Sequence, residues 1–242
     1  MKIKDLDFFD LQQVFMFNNA RRQVILDFAL QKPTVYEQLK FVVDYFFNNL
    51  SIEETAMLDG VSTENVMPFI YDYSYAEDFQ TYARDQLGRE YQPGAFCCSL
   101  PMAISDDRNR HLNIFPSLYT AKMGTCIMFA HELARIGLDL GFECEIVESI
   151  EPFYDNFNGL NTNKEPVHTD QITKMRHFYN IITLDGKKYK IDVAGGLSAM
   201  QFNVNHPDMP IDINKFYFSE DLTSKPFAGI TIPAPVSQKS QS

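Results

Sequence analysis

Apolar positions recur at three- and four-residue steps through Phe8, Leu11, Val14 and Phe15, and again through Leu39, Val42, Val43, Phe46 and Phe47. That spacing lines one face of a helix. Residues 1 to about 75 therefore read as a helical region or small domain, with Pro33 dividing two runs and Thr34 capping the second. From 76 to about 123 the periodicity is broken at Gly88, Pro93, Gly94, Pro101 and Pro116, which predicts short mixed elements and loops. Residues 124–141 predict a strong helix ending at Gly141, and FECEIVES, 142–149, predicts a strand. An Asn-rich polar loop over 151–173 leads to a hairpin over 176–194, then to a less regular stretch reaching about 230. The tail over 231–242 reads as disordered. The fold class is α+β, with no internal repeat.

The chain has 242 residues, 45% of them apolar, enough for one large domain or a small helical domain joined to a larger one. Lys and Arg number 21 against 32 Asp and Glu, a net charge of −11. Such an excess repels phosphate backbones and anionic lipid surfaces, so neither nucleic acid nor membrane is expected as a partner. No apolar run approaches the ~20 residues of a spanning helix. Early aspartates in MKIKDLDFFDLQQVF stand where an export signal is apolar, so the expected location is cytoplasmic. Cys97, Cys98, Cys126 and Cys144 form no CxxC pair and are expected as reduced thiols.

Three tempting motifs fail on chemistry. Residues 51–70 have the outline of a helix-turn-helix, but their only charges are Glu53, Glu54, Asp59 and Glu64, and Pro68 interrupts the second helix. A DNA-reading helix needs Arg or Lys. His131-Glu132-Leu133-Ala134-Arg135 starts like HExxH, yet Arg135 stands where the second zinc ligand belongs. The glycines form neither a P-loop nor a dinucleotide fingerprint. No metal or organic cofactor is expected.

One constellation survives. Gly124 and Thr125 precede a helix whose first turn holds Cys126. Unpaired N–H groups and the positive helix end there favour thiolate. Taken alone, Cys126 would be a small core residue. It is not alone, because Asp185-Gly186 is a two-residue hairpin loop that pairs Tyr179 with Asp192 and His177 with Ala194. His177 and Tyr179 then share a face, and His177 and Asp192 become diagonal neighbours roughly 7–8 Å apart at Cβ. An imidazole and a carboxylate close that span, fixing the tautomer and turning the other ring nitrogen toward a thiol. His168, in the polar loop, lacks a facing acid and is set aside as the base.

The order Cys126, His177, Asp192, with GxC opening a helix, His177-Phe178-Tyr179-Asn180 as an H-x-aromatic-N segment and Tyr189-x-x-Asp192 as a strand, resembles the transglutaminase-like cysteine-peptidase superfamily. The likeness covers about residues 115–200. The family typically carries Trp where Tyr179 stands and often Pro where Val193 stands. The resemblance implies a papain/transglutaminase-like core over 76–230, a central helix packed on an antiparallel sheet, with the N-terminal helical region added. It implies a Cys126–His177–Asp192 triad acting on a peptide or amide-bearing substrate through a thioester. Hydrolysis by a peptidase or amidase is preferred over transglutaminase chemistry. The second oxyanion donor in the family is an upstream side chain, for which Tyr119 and Asn113 both qualify; Tyr179 is a further candidate for the substrate side. The alternative is a binding or scaffold protein on the same fold with an inert thiol.

Overall fold

The computed structural model describes residues 11–71, 118–124, 126–153, 173–205 and 207–224. Asn113, His168, Cys97, Cys98 and the tail over 231–242 lie outside the described residues, as do the mixed stretch over 76–117 and most of the polar loop.

Helices α1 (Leu11–Ala29), α2 (Val35–Phe46) and α3 (Ile52–Asp59) occupy the N-terminal region. Their ends follow from local chemistry. The Thr34 hydroxyl accepts the Glu37 N–H at the head of α2, and Ser51 and Glu54 form a reciprocal capping box on α3. A two-residue strand, β1 (Ile70–Tyr71), ends the region that the periodicity reads as helical, and it pairs in parallel with β2 (Met123–Gly124). Between them in the fold stands the short α4 (Leu118–Ala121).

Helix α5 (Cys126–Leu140) buries Cys126, Phe129, Ala130, Leu133, Ala134, Ile136 and Gly137 along one side. It stops at Gly141, whose φ of 82° lets the Phe142 N–H reach the Gly137 carbonyl at 3.1 Å and the Gly141 N–H reach Leu138 at 3.1 Å. Those two bonds satisfy carbonyls that the helix end would otherwise strand. The chain then forms an antiparallel sheet of β3 (Glu143–Phe153), β4 (Thr173–Leu184) and β5 (Lys187–Ile191), in that spatial order. Asp185 at φ 50° and Gly186 at φ 77° make the tight turn, and Asn180 faces Ile191 across it. This is the register expected from the loop. Helix α5 packs on β3 and β4, where the Asn180 side-chain amide donates to the Ala130 carbonyl at 2.9 Å. The architecture is α+β.

The hairpin is shorter than the sequence predicts. Its second strand ends at Ile191, and 193–205 form α6 (Val193–Asn205) where an irregular stretch was expected. Gly195 and Gly196 oppose a helix by propensity, but tertiary contact reverses the preference. A Cβ on Gly195 would meet an Asp192 oxygen at 2.6 Å and Phe216 at 2.6 Å, and one on Gly196 would meet Phe47 at 2.3 Å. The absent side chains let α6 sit against α2 with Asp192 at its head.

One apolar cluster joins Ile25 of α1, Phe46 of α2, Leu58 of α3, Leu133 of α5, Ile182 of β4 and Leu197 of α6. The N-terminal helices therefore share their core with the sheet and α5. Polar ties cross the same boundary: Arg22 grips both Glu132 oxygens at 2.7 and 2.8 Å, and the Tyr217 hydroxyl donates to Asp44 at 2.5 Å. Among the described residues no helix is long and apolar enough to cross a membrane.

Gly196→Ala is expected to destabilise the protein by about 1–3 kcal/mol, since crowding Phe47, only 1% exposed, outweighs the ~1 kcal/mol helical advantage of Ala. Val204→Ala, on the exposed side of the same helix, is expected to stay within about 0.5 kcal/mol. Urea unfolding of both variants checks the difference.

Candidate active site

Cys126 is the first residue of α5 and a free thiol, 5% exposed. Its approach is crowded: a Cβ on Gly124 would lie 2.2 Å from a Leu118 methyl and 3.2 Å from the Phe129 ring. Only a residue without a side chain passes between α4 and α5 at that point.

His177 and Asp192 meet, although not as strand partners: the β4–β5 ladder ends at Asn180 and Ile191, and Ala194, expected opposite His177, lies in α6 because the chain turns into that helix at Asp192. The His177 Nε2 lies 2.7 Å from the Asp192 Oδ2, with the residues 3% and 1% exposed. The other carboxylate oxygen, Oδ1, accepts the Gly195 N–H at 2.8 Å, so Asp192 also caps α6. Cys126 acts on the same imidazole, adding to the influence of Asp192 that raises its pKa. With Nε2 held by Asp192, Nδ1 is the nitrogen left for sulfur. The three residues singled out from the sequence thus come together from α5, β4 and the β5–α6 junction.

The electrostatics follow from this packing. Burial opposes the charge on His177, yet Asp192 and then Cys126 outweigh it and raise its pKa from 6.5 to about 10. Burial likewise opposes the charge on Asp192, while His177, Lys190 and the Gly195 N–H together hold its carboxyl below the usual range. Burial pushes the Cys144 thiol up to about 12, with only the Asn180 amide acting the other way.

Of the remaining candidates, Tyr119 is buried at the foot of α5. Its hydroxyl donates to Glu132 at 2.6 Å, in the network that Arg22 completes, because α1, α4 and α5 converge there. Its proton is thus committed away from an oxyanion. That network also explains His131-Glu132: Glu132 is held by a guanidinium and a phenol. Tyr179 is buried beside the pair, its ring centroid 6.4 Å from that of His177 and 4.1 Å from the Lys190 ammonium.

Two contributors went unread. Lys190, 1% exposed, donates to the Ser224 carbonyl at 2.9 Å and adds positive charge near Asp192. Strand alternation two residues from Asp192 was enough to place it on the same face. Asn180 was visible in the motif, but its anchoring bond to Ala130 is a contact fifty residues distant in sequence.

Comparison of the chain with protein-family models, curated proteins and solved structures finds no match.

A raised histidine pKa gives stability that is complete below the ordinary value of 6.5 and is lost as pH climbs through about 10. The lowered Asp192 value works at the other end, with stability lost as pH falls below the usual 3.8 and through its depressed pKa. The His177 ring is therefore expected to remain cationic at about pH 8, and to titrate below about 6.5 in Asp192→Asn. NMR titration of the ring carbons reads this directly. The alkaline decline of the urea midpoint should flatten in the same variant.

Proposed function

We propose that this chain is a cysteine-nucleophile enzyme that transfers or hydrolyses the acyl group of an amide or peptide substrate. The observation that carries the reading is the buried imidazole engaged on Nε2 by Asp192 at 2.7 Å, with Cys126, at the start of a fifteen-residue helix, acting on the same ring. A papain/transglutaminase-like core, α5 against the antiparallel sheet, is the fold reading that goes with it. The reduced thiol it requires accords with a cytoplasmic setting.

The chemistry runs through these groups. The proton shared between Cys126 and His177 rests on the imidazole, and the sulfur attacks the carbonyl carbon as thiolate, forming a C–S bond. Charge gathers on the carbonyl oxygen, where the Cys126 N–H and the positive end of α5 meet it. As the C–N bond breaks, His177 returns its proton to the departing amine and leaves a thioester. Water, losing a proton to His177, then releases the acid and restores the thiol; hydrolysis is preferred over transfer to a second amine. Tyr179 lies beside the imidazole, with the Lys190 ammonium against its ring.

The rival reading, a scaffold with an inert thiol, draws on the low exposure of Cys126. Iodoacetamide alkylation with peptide mapping separates the two. Cys126 is expected to alkylate at least about tenfold faster than Cys144 in the native protein at neutral pH. His177→Ala should abolish that advantage, and Cys144 should stay unlabelled in the native protein. A Cys126 that labels only after unfolding would establish the scaffold.

A further inference from the structure

We propose that Lys122 is a positioning residue for Cys126, and that its buried ion pair with Asp59 makes the N-terminal helices part of the nucleophile's mounting. The inference rests on the acyl-transfer reading above, and it begins from the backbone.

Lys122 lies between α4 and β2 with φ at 55°, the left-handed region that side chains other than Gly, Asn and Asp seldom occupy. A glycine would satisfy that backbone without strain. The lysine brings a side chain, and it runs away from Cys126 into the N-terminal core. Its ammonium donates to the Asp59 Oδ1 at 2.5 Å and to the Tyr45 hydroxyl at 2.7 Å. The same hydroxyl donates to Asp59 at 2.6 Å, closing a triangle. The Phe69 and Tyr45 rings lie 4.0 and 4.4 Å from the ammonium.

The main chain is tied at the same place. The Lys122 carbonyl accepts the Ile70 N–H at 2.8 Å, and the Lys122 N–H bonds Leu118 at 3.0 Å. Phe69, next to Ile70, is itself clamped by Asn48, whose amide accepts its N–H at 2.7 Å and donates to its carbonyl at 2.9 Å. Between Lys122 and Cys126 stand the two-residue ladder of Met123 and Gly124 and then Thr125. Two parallel pairs are a weak restraint by themselves. The ion pair supplies the direction that they lack.

Stability alone does not call for such a group. A buried pair is commonly replaceable by apolar residues of similar volume, and its distinctive contribution is to select one arrangement. His177 and Asp192 come from separate elements, so the thiol meets the imidazole only if the turn before α5 holds one geometry.

The test compares the unmodified full chain with Lys122→Met and with the triple variant Tyr45→Phe, Asp59→Leu, Lys122→Met, which leaves no polar group of the triangle behind. Each is read by thermal unfolding, hydrogen exchange of the peptide spanning 118–128, and the pH profile of Cys126 alkylation. The triple variant is expected to recover the unfolding temperature that Lys122→Met loses. It should still exchange at least about tenfold faster over 118–128 and alkylate about tenfold more slowly at neutral pH. Exchange and alkylation both matching the unmodified protein would overturn the proposal. If Cys126 of the unmodified protein alkylates no faster than it does in His177→Ala, the acyl-transfer reading fails, and the exchange arm still decides the tether. Should the triple variant not fold, Asp59→Asn serves: faster exchange confined to 118–128 supports the tether, and a uniform rise through α5 and β4 refutes it.

Discussion

A single carboxylate ties the hairpin to the helix that follows it. The two oxygens of Asp192 face different elements, Oδ2 toward the His177 ring and Oδ1 toward the Gly195 N–H. An ion this deeply buried loses several kcal/mol of solvation, and the loss is offset only while each oxygen keeps its partner. Gly195 must then lack a side chain, since a Cβ would stand 2.6 Å from Oδ2. Gly196 must let Phe47 approach, so the position of α6 is fixed against α2. The imidazole's orientation and the packing of the C-terminal helix are one problem with one solution.

Cys126 is held with comparable redundancy from elements far apart in the chain. Asn180 joins β4 to the first turns of α5 through Ala130, and Arg22 joins α1 to its middle through Glu132. Helix α5 is therefore fixed against the sheet that carries the imidazole. Sites built on rigid elements keep their reacting groups in register without a loop having to close first. The N-terminal helices contribute to this rigidity as directly as the sheet does, through the shared cluster around Phe46, Phe69 and Phe129.

What was legible in the sequence was what local rules govern. Asp185-Gly186 forces a turn with both residues at positive φ, and strand alternation then fixes the neighbours of His177 without knowledge of the rest of the fold. Gly141 stops α5 for an equally local reason. Helix α6 escaped because its evidence is spread through space: the glycines that weaken it locally are the residues that let it pack. Asp192 followed by a short run of small residues was a capping signal, but reading it as strand hid that second role. Tyr119 escaped for a related reason, as nothing near it in sequence shows that Glu132 and Arg22 will receive its hydroxyl.

The charge arrangement around the triad has its own logic. A cationic His177 and an anionic Asp192 cancel, so ionising Cys126 beside them leaves one net negative charge in a desolvated place. In a protein of net charge −11 that excess is unfavourable unless a cation lies nearby. Lys190 supplies it from within the fold, with its ammonium against the face of Tyr179 and its tip tied to the Ser224 carbonyl. Its main chain is fixed as well, because the Lys190 N–H and carbonyl both bond Ser219, at 2.8 and 2.9 Å. A charge held at both ends keeps its distance to Asp192 whatever the solvent does. The strand that leads into Asp192 thus also carries the cation beside it.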